Sequence, residues 1–412
     1  MISIALGRSR DIIVITMVEK KLFEQLIKRI QKGTITVKYW DGTTKDYGNG
    51  SPKAVMEIHT PKVIRAMFKN MSLGVGEAYM DETMTIEPLA AFMNIIYMNL
   101  PVLIGPIQKL NPQSILSPNV RKKQADYIQH HYDLGNDFYK LWLDNDTMAY
   151  TCSYYRKPSD TLEKAQTQKI DHVLRKLQLE PGMTVAELGC GWGHLLVTAA
   201  KKYGVSGIGV TLSKEQHAYA TALAKKEGVS KKITFELANY QELATRGKMY
   251  DRVYSVGLFE HVGRGNQDQY FKTIDAILKP GGVSLLHTIS TQVERATDAW
   301  TDKYIFPGGY VPAVSQMVGY LPSYDFRLMD YESLRPHYAM TLDEWWRRFE
   351  DHKDEVIDMF DERFYRMWRF WLAASSANFR YGEMDLSQFV FSKGINNDLP
   401  LTREHMYKST KK

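Results

Sequence analysis

Cysteine is scarce in this sequence, whose 412 residues contain two, Cys152 and Cys190. Two thiols cannot build a disulfide framework, and neither lies in a Cys/His spacing typical of a metal site. The first residues also lack the features of a signal peptide, which are a positively charged start, an apolar run and a cleavage site of small residues. The sequence therefore favours a protein of the reducing cytoplasm, and no metal ion is expected.

Uninterrupted apolar runs of membrane-spanning length are also missing. The nearest approach is the uncharged segment 88–108, PLAAFMNIIYMNLPVLIGPIQ, which Asn94, Asn99, Pro101 and Pro106 interrupt. Prolines and asparagines would kink a lone span and leave polar groups unsatisfied in lipid. We expect this segment to form a buried or interfacial helix followed by a loop.

Charge of one sign is only slightly in excess, because 53 Lys and Arg residues face 47 Asp and Glu residues. The basic residues gather in short clusters, Arg-Lys-Lys at 121–123 and a tail at 408–412. These clusters are not interleaved with aromatic residues on a recognisable nucleic-acid-binding module, so no nucleic-acid partner is expected. Such clusters are typical of solvated surface, and they would also suit an anionic membrane surface.

Changes of pattern divide the chain into segments. Residues 1–16 are expected to be an extension with little structure, ahead of a second start-like methionine, Met17. Residues 17–110 mix short strand and helix patterns, including a hairpin around Asp41-Gly42, and predict a small mixed α/β domain. Residues 111–125, rich in Pro, Ser and Asn, are predicted to be a linker, and residues 126–412 the larger second domain.

Strand and helix patterns alternate strictly from Met183 onward. Strands are predicted at 183–188, 205–212, 231–237, 250–258 and 283–289, and helices at 195–203, 213–227 and 267–279. This alternation predicts an α/β fold with a doubly wound, mostly parallel sheet that binds ligands at the carboxyl ends of its strands. About forty residues after His287 lack this regularity, which predicts a helical insertion that caps the site.

The segment AELGCGWGHL, residues 186–195, places Gly189, Gly191 and Gly193 where the first of these strands turns into a helix. Glycines there let a ligand lie against the backbone. A dinucleotide site needs G-x-G-x-x-G, whereas this pattern is E-x-G-x-G-x-G, with Glu187 next to the turn. Glu187 suits the ammonium group of S-adenosylmethionine. A methyl-donor site is therefore favoured, with a dinucleotide site and a ligand-free turn as the alternatives.

A more specific likeness comes from nine stretches taken together. They are HHYDLGNDFY (130–139), AYTCSYY (149–155), AELGCGWG (186–193), GVTLSKEQ (209–216), SVGLFEHVG (255–263), LLHTIS (285–290), YIFPGG (304–309), RPHYAMTLDEWW (335–346) and VFSKG (390–394). In this order they resemble the cyclopropane fatty acid synthases over roughly residues 120–400. The resemblance implies a class I methyltransferase fold with a seven-stranded sheet, and residues 126–412 as its catalytic domain.

The same resemblance implies which residues bind the donor, S-adenosylmethionine. Tyr150 and Thr151 would come from a lid-like stretch, and the three glycines with Glu187 would hold the methionine end. Further residues would surround the ribose and the adenine, namely Thr211, Leu212, Gln216, Asn239 and Tyr240. The Asn239 amide oxygen can accept from the adenine amino group.

A second set matches family positions that surround a bicarbonate ion, and these candidate catalytic residues are Cys152, Glu260, His287, Ile289 and Tyr338. The resemblance implies that Glu260 and Tyr338 orient the ion while the Ile289 amide donates to it. His287 would donate to the ion or tune its charge. Glu260 and the ion would share a proton, because two like charges in one site cannot both stay ionised.

The reaction implied by the resemblance adds a methylene group from S-adenosylmethionine to the cis double bond of an unsaturated phospholipid acyl chain, forming a cyclopropane ring. An enzyme that takes a chain from a bilayer must bind its surface, for which segment 88–108 and the basic cluster 121–123 are candidates. The expected location is the cytoplasm, with transient association with the inner face of the cell membrane. Family habit suggests a homodimer.

Three alternatives stay open. The acceptor could be the nitrogen of a small amine, or the acyl chain could receive a methyl branch, a methylene group or a hydroxyl group instead of a ring. The chain could also be a lipid-binding protein with a vestigial donor pocket. Cys152 and the N-terminal domain argue against the amine, and Glu260 together with Tyr338 favours ring closure. The complete set of candidate residues argues against a vestigial site.

Overall fold

The computed structural model describes residues 16–108, 134–294 and 297–407. The chain divides into two compact units, each assembled from separate stretches of sequence. The first unit comprises Met1–Leu116, Asp298–Ile305 and Glu350–Gly382. The second comprises Ser117–Thr297, Phe306–Phe349 and Glu383–Lys412.

The regular elements of the described residues are numbered in chain order. The strands are β1 (Gly33–Lys38), β2 (Thr44–Asn49), β3 (Lys53–Ile58), β4 (Met84–Glu87), β5 (Thr184–Leu188), β6 (Ser206–Thr211), β7 (Ile233–Leu237), β8 (Tyr250–Val256), β9 (Leu278–Thr291), β10 (Phe326–Ser333) and β11 (Met384–Lys393). The helices are α1 (16–27), α2 (Lys62–Lys69), α3 (Met71–Met80), α4 (Leu89–Gln108), α5 (Asn136–Lys140), α6 (Leu162–Lys176), α7 (His194–Tyr203), α8 (Lys214–Lys226), α9 (Gln267–Ile277), α10 (Ala299–Tyr304), α11 (Val314–Tyr320), α12 (Arg335–Asp351), α13 (Lys353–Met359), α14 (Glu362–Tyr381) and α15 (Glu404–Tyr407). Short 3₁₀ turns cover Tyr240–Arg246, Phe259–His261 and Leu321–Tyr324.

The first unit contains a four-stranded mixed sheet with the order β2-β1-β3-β4. Strands β1 and β2 are antiparallel, and the Gly42 N–H donates to the Tyr39 carbonyl in the expected hairpin. Strand β3 runs parallel to β1 and antiparallel to β4. Ile35, Val37 and Met56 are buried at alternate positions, as strand geometry requires. The small mixed α/β fold expected in this region is confirmed.

Helix α4 runs without a break from Leu89 to Gln108, so the loop expected in the second half of this segment is wrong. The reason lies in Asn99, whose side chain is buried in the middle of the helix. Its amide oxygen accepts from the Gln31 and Lys32 N–H groups, and its nitrogen donates to the Lys32 and Ile95 carbonyls. These bonds and the buried apolar face offset the backbone bonds that the internal prolines remove. No helix in the described parts of the chain is long and apolar enough to cross a membrane.

Two later stretches belong to the first unit, although the sequence pattern grouped them with the catalytic domain. Helix α14 packs against α4, and α10 packs against α3. Trp300 of α10 lies so close to Gly76 that a Cβ there would overlap its indole ring. The Trp300 indole N–H also donates to the Met80 sulfur at 3.3 Å. Contacts between residues more than 200 positions apart leave no local pattern, so sequence periodicity did not show this grouping.

The second unit contains a seven-stranded sheet with the order β10-β11-β9-β8-β5-β6-β7. Five neighbouring strands of this sheet, β9, β8, β5, β6 and β7, pair in parallel. Strand β11 is antiparallel to both β9 and β10. Residues 279–282, between the predicted helix and the predicted strand, are part of β9 and form an irregularity in its pairing with β8. The expected α/β class, with a doubly wound and mostly parallel sheet, is confirmed.

Helices cover both faces of this sheet. One core cluster includes Leu174 of α6 and Leu196 of α7, and the other includes Phe271 and Ile274 of α9, all fully buried. Helix α8 begins as predicted, because the Ser213 hydroxyl accepts from the Gln216 N–H. With both faces covered, the ends of the strands are the part of the sheet that remains accessible to a ligand.

Several expectations lie wholly or largely outside the described residues. They concern the extension 1–16, of which only residue 16 is described, the linker 111–125, and the basic clusters at 121–123 and 408–412. These expectations stay predictions.

Candidate active site

The glycine turn joins β5 to α7 in the second unit. Gly189, Gly191 and Gly193 all have positive φ, at 75°, 52° and 84°, a region that residues with a Cβ rarely adopt. At Gly193 a Cβ would also lie 2.7 Å from atoms of Ala220 and Phe235, whereas nothing lies within 4 Å of the same position at Gly191. Packing therefore requires glycine at Gly193, and the open backbone at Gly191 leaves room for a ligand.

One cavity lies above this turn. It is lined by residues at the ends of β5, β6 and β8, after the end of β7, and in the stretch before α6. All eleven residues expected to bind the donor line it, namely Tyr150, Thr151, Glu187, Gly189, Gly191, Gly193, Thr211, Leu212, Gln216, Asn239 and Tyr240. The position agrees with the rule that doubly wound sheets bind ligands at the carboxyl ends of their strands.

Glu187 supplies the acid of this cavity. Its side chain is buried, and among the described residues its Oε2 atom has no hydrogen-bond partner. Burial raises the pKa of Glu187 to about 8. The positive charge of Lys169, a hydrogen bond from the Leu196 N–H and the nearby Tyr254 hydroxyl act to lower it. A buried carboxyl group with an unpartnered oxygen costs free energy. The cavity therefore suits a ligand with a cationic donor at this point.

Thr211 and Gln216 are fixed by bonds to each other. The Thr211 hydroxyl donates to the Gln216 amide oxygen at 2.8 Å and accepts from the Ser213 N–H at 3.2 Å. Leu212 follows Thr211 directly after the end of β6 and also lines the cavity. This arrangement leaves the Gln216 amide N–H groups for hydroxyl groups of a ligand.

Asn239 has a structural task that the sequence did not suggest. The Asn239 side-chain oxygen accepts from the Gln241 backbone N–H at 3.1 Å, and the Asn239 backbone N–H donates to the Glu242 carboxylate. These two bonds cap the 3₁₀ turn. One lone pair of that oxygen is thus already used, and the second remains for a ligand. Tyr240 is buried, with its ring 5.8 Å from that of Tyr270 in an edge-on arrangement.

Glu260 lies in the 3₁₀ turn just beyond the cavity wall at Gly257 and Leu258. Its carboxylate accepts from the Thr288 hydroxyl at 2.8 Å and from the Ile289 amide. The amide that was expected to hold an ion therefore donates to Glu260 itself. Burial raises the pKa of Glu260 to about 7, although both bonds act to lower it. The group can carry or release a proton near neutral pH.

His287 lies two residues before Ile289 on β9 and is fully buried. Its Nδ1 atom is 3.0 Å from the Gln388 amide nitrogen of β11, and no partner for Nε2 is found in the described chain. Because that amide nitrogen can only donate, Nδ1 accepts and Nε2 carries the proton of the neutral ring. Burial holds the pKa of His287 well below its usual value, so the ring is neutral. Nε2–H is thus an unpaired donor.

Cys152 and Tyr338 lie on two segments that meet. The buried Cys152 thiol donates to the Ser153 carbonyl and lies 4.0 Å from the carbonyl of Leu334, which precedes α12. Tyr338 stands in the first turn of α12, half-buried, with its ring 6.0 Å from that of Trp345. Burial raises the pKa of Cys152, so it remains a neutral thiol. None of the five candidate catalytic residues lines the donor cavity itself.

Part of the predicted insertion after β9 adjoins this region. The Tyr310 N–H donates to the Glu260 carbonyl, and the Phe306 ring lies 5.5 Å from that of His261. His261 lines the cavity, and burial lowers its pKa to about 4. Aromatic and neutral groups thus surround the 3₁₀ turn that carries Glu260.

Two polar residues of α6 were missed in the sequence. The Gln166 amide nitrogen donates to the Ala149 and Thr151 carbonyls, and the Lys169 ammonium group donates to the Thr151 hydroxyl at 3.0 Å. Both side chains are buried, and Lys169 lines the cavity. The available signal was a glutamine and a lysine three residues apart on a helix that also carries the buried Ile170 and Val173.

Comparison with known proteins identifies the family. A family model described as "Mycolic acid cyclopropane synthetase" matches residues 119–389. The chain belongs to this family. A second model, described as a domain of unknown function, matches residues 22–100. The family agrees with the resemblance found in the sequence.

Individual relatives extend beyond the catalytic region. The chain is 37% identical over 361 residues to the cyclopropane-fatty-acyl-phospholipid synthase of Escherichia coli (strain K12), covering 86% of this chain and 92% of that protein. It is 33% identical over 381 residues to the tuberculostearic acid methyltransferase of Mycobacterium tuberculosis, covering 85% and 86%. A crystal structure of a mycolic acid cyclopropane synthase complexed with S-adenosylhomocysteine and CTAB matches with a TM-score of 0.61 and 33% identity, over 68% of this chain and 99% of that one.

The enzyme is an S-adenosylmethionine-dependent methyltransferase of this family. The cavity fits such a donor on two observations. A cradle of glycines with positive φ exposes the backbone, and Glu187 offers a buried carboxylate oxygen without a partner. The first feature lets a ligand lie against the backbone, and the second matches a ligand that carries an ammonium group.

Proposed function

We propose that this enzyme converts the cis double bond of an unsaturated acyl chain in a membrane phospholipid into a cyclopropane ring. S-adenosylmethionine supplies the methyl group whose carbon becomes the ring methylene. The observation that carries the proposal is the partly buried Glu260 carboxyl group, whose pKa is raised, just beyond the wall of the donor cavity. Simple methyl transfer to an amine needs no acid of raised pKa at that position, whereas ring closure needs a group that accepts or donates a proton.

The bond changes of this reaction define what the residues must do. The π electrons of the alkene form a bond to the methyl carbon as its bond to sulfur breaks, and a cation remains on the second alkene carbon. A base then takes a proton from the added methyl group, and the C–H electrons close the ring. Water at the cation would give an alcohol instead, so the site must be dry.

The second set of residues suits a small bound base. Bicarbonate, when bound, would accept the proton of the added methyl group, so no side chain needs to reach that carbon. His287 Nε2–H is a buried donor without a partner in the described residues, which fits one oxygen of such an ion. Glu260 in its protonated form would donate to a second oxygen, with Tyr338 and Cys152 as further neighbours of the ion. The Ile289 amide holds Glu260 in place for this role.

The length of the similarity favours a phospholipid substrate. The alignment with the E. coli phospholipid synthase covers 86% of this chain, including the mixed α/β region, whereas the mycolic acid cyclopropane synthase structure matches 68%. A chain drawn from a bilayer requires contact with its surface, and the basic cluster at 121–123 is the candidate for that contact. We propose a cytoplasmic enzyme that docks transiently on the inner face of the cell membrane, and a homodimer.

Product analysis tests the reaction. The purified enzyme is incubated with S-adenosylmethionine, bicarbonate and vesicles of a cis-monounsaturated phospholipid, with saturated vesicles as the control. Mass spectrometry of the fatty acid methyl esters should show a product one methylene heavier that has lost its double bond, and only from unsaturated lipid. The absence of any lipid product would refute the proposal and direct attention to amine acceptors.

Membrane docking is tested separately. Reversal of the charges of Arg121, Lys122 and Lys123 should weaken sedimentation with anionic vesicles at low salt, because polybasic segments bind anionic surfaces electrostatically. Unchanged binding would remove this cluster from the docking surface.

A second candidate function keeps the lipid and changes the fate of the cation. The tuberculostearic acid methyltransferase is similar over 85% of this chain, nearly the same share as the cyclopropane-forming relative. A product that is one methylene heavier but not cyclised would favour this alternative.

A further inference from the structure

Segment 152–155 follows the residues that line the donor cavity and lies outside the helices and strands. Its residues are buried, except for the half-buried Tyr154. The Tyr154 N–H donates to the Ala165 carbonyl of α6 at 3.0 Å. The N–H groups of Ser153 and Tyr155 donate instead to side chains of α12. The segment is therefore held between α6 and α12.

His337 and Thr341 are the side chains of α12 that accept these bonds. The His337 Nδ1 atom accepts from the Tyr155 N–H at 3.0 Å, and the Thr341 hydroxyl oxygen accepts from the Ser153 N–H at 3.1 Å. The two residues lie four positions apart and thus share one face of the helix. The Thr341 hydroxyl also donates to the His337 carbonyl at 2.7 Å. One face of α12 thus binds alternate N–H groups of the segment.

Three aromatic rings stack beside this contact. The Tyr154 ring lies 4.7 Å from the His337 ring and 4.1 Å from the His172 ring, at interplanar angles of 16° and 15°. The His172 Nε2–H donates to the Glu332 carboxylate of β10 at 2.7 Å. Burial acts to raise the pKa of Glu332, but bonds from His172 and Lys176 lower it to about 2, so the carboxylate is ionised. The stack therefore holds both faces of the Tyr154 ring.

The His337 ring is neutral near pH 7. Burial lowers its pKa, although the negative charge of Glu332 acts to raise it. A neutral imidazole has one acceptor nitrogen, and the bond from the Tyr155 N–H assigns that role to Nδ1. Phenylalanine in its place would keep a ring for stacking but would offer no acceptor. Asparagine would offer an amide oxygen near the position of Nδ1, so the two roles of His337 can be separated.

The contact brings two candidate catalytic residues to one place. The Cys152 sulfur lies 4.0 Å from the Leu334 carbonyl, and the Tyr338 N–H donates to the same carbonyl at 3.1 Å. Tyr338 also follows His337 directly in the chain. The bond from Tyr155 to His337 thus fixes how the segment that carries the thiol lies against the helix that carries Tyr338.

The donor-lining half of the same stretch is held by α6. Gln166 donates to the Ala149 and Thr151 carbonyls, and Lys169 donates to the Thr151 hydroxyl. These bonds involve neither His337 nor its helix. Loss of the contact with α12 should therefore displace the residues after Thr151 and leave the donor-binding residues in place.

We propose that His337 is a positioning residue of the reaction, which holds segment 152–155 against α12 so that Cys152 and Tyr338 stand together. The inference rests on the proposed function in one respect, since these two residues are the proposed neighbours of the ion that accepts the proton. Reacting groups must lie within about 3 to 3.5 Å of each other, so a small displacement is costly. Loss of the contact should slow product formation without weakening donor binding.

Hydrogen exchange with residue-resolved mass spectrometry tests the contact on the whole enzyme. In the wild type the amides of Ser153 and Tyr155 should exchange slowly, although they lie outside the helices and strands. His337→Phe should speed the exchange of the Tyr155 amide by about tenfold, because that N–H loses its acceptor. His337→Asn should keep it slow. Unprotected amides in the wild type would overturn the proposal, and this result does not depend on the folding of any variant.

Alkylation of the thiols gives an independent measure of the position of the segment. Cys152 is fully buried in it, and Cys190 is buried in the glycine turn. His337→Phe should raise the rate at which iodoacetamide modifies Cys152 by about tenfold, because the segment opens more often. The rate at Cys190 should stay unchanged. Equal increases at both thiols would show a general loosening of the fold and would overturn the proposal.

Kinetics show whether the position matters for the reaction. His337→Phe should lower the rate of lipid product formation by about tenfold and keep the KM for S-adenosylmethionine within about twofold of wild type. His337→Asn should retain at least about a third of the wild-type rate. Equal impairment by the two variants, or a parallel loss of S-adenosylhomocysteine affinity, would overturn the proposal. His59→Phe is the matched control, since His59 is exposed in the first unit, and it should behave like wild type throughout.

The outcomes for this inference and for the proposed function can be distinguished. Hydrogen exchange and alkylation are measured without a lipid substrate, so they test the contact itself. A wild type with protected amides that forms no lipid product would refute the proposed function and leave the contact intact. A wild type that forms the ring product, combined with an equal rate for His337→Phe, would overturn this inference alone.

Discussion

The affinity of the donor cavity for S-adenosylhomocysteine should depend on pH through Glu187. Burial raises the pKa of this carboxyl group to about 8. Below that pH the ligand-free enzyme holds Glu187 protonated, and the ligand's ammonium group needs the ionised form. Binding must therefore release a proton, so affinity rises with pH up to about 8 and then levels off.

Other titratable groups near Glu187 keep their charge in this range. Burial raises the pKa of Cys190 and Tyr254 well above their usual values and lowers that of His194 to about 4. Burial also lowers the pKa of Lys169, so the comparison is confined to pH values of about 6 to 8, where an ammonium group is least affected. Glu260 also titrates in this window, with a pKa of about 7, but it does not line the donor cavity, and a control ligand without an ammonium group separates its effect from that of Glu187.

The size of the effect follows from the ionised fraction. With a pKa of about 8, roughly half of the Glu187 population is ionised at pH 8 and about one hundredth at pH 6. The affinity should therefore fall about fiftyfold between these two pH values, which is about 2.3 kcal/mol of binding free energy.

Calorimetry at three pH values within this window, in buffers of different ionisation enthalpy, measures both the affinity and the proton release. Methylthioadenosine is the control ligand, since it has no ammonium group and should bind with the same affinity throughout. Glu187→Gln should bind S-adenosylhomocysteine weakly and without a pH slope. A flat profile for the wild type, or the same slope with methylthioadenosine, would show that Glu187 does not accept from the ligand's ammonium group.

Three further predictions concern Glu260, the glycine turn and the first unit. Glu260→Gln should lower the rate of lipid product formation by about a hundredfold or more with unchanged S-adenosylhomocysteine affinity. Wild-type activity should fall as pH rises above about 7, where Glu260 loses its proton. Wild-type activity that keeps rising with pH would contradict this. Gly193→Ala places a Cβ 2.7 Å from two side chains, so it should lower the free energy of unfolding in denaturant by about 3 kcal/mol and abolish ligand binding. Gly191→Ala should lower the free energy of unfolding by about 1 kcal/mol. Equal losses would contradict the packing argument. Asn99→Ala should lower the free energy of unfolding by about 2 to 3 kcal/mol, because it removes four hydrogen bonds of the buried Asn99 side chain, three of them to backbone groups of Gln31 and Lys32; a loss below about 0.5 kcal/mol would refute that role.

Short-range signals in the sequence were reliable guides to the local structure. The hairpin at Asp41-Gly42, the cap at Ser213 and the glycine turn at 189–193 each depend on residues within a few positions of one another. Backbone sterics and capping bonds act over that range, so the residue types alone predict the conformation. The strict alternation of strands and helices predicted the sheet class for the same reason.

Long-range packing accounts for what the sequence did not show. Helix α4 continues through its prolines because of bonds between Asn99 and residues more than sixty positions earlier. The return of Glu350–Gly382 to the first unit depends on contacts with helices far back in the chain. Lys169 looked like one more lysine in a charged helix, and only its burial beside Thr151 distinguishes it from the exposed Lys164.

The sequence by itself determined the fold class and the glycine turn with its adjacent acid, because these are local properties of the chain, and the family resemblance indicated the other residues around the donor cavity. The tertiary structure decided which of those residues are already satisfied by the protein and which are left for a ligand. Asn239 caps its own turn and the Ile289 amide holds Glu260, whereas the buried Glu187 Oε2 and His287 Nε2 atoms have no hydrogen-bond partner among the described residues. Burial and pairing depend on the whole packed chain, and these properties set the charge and the chemistry of the site.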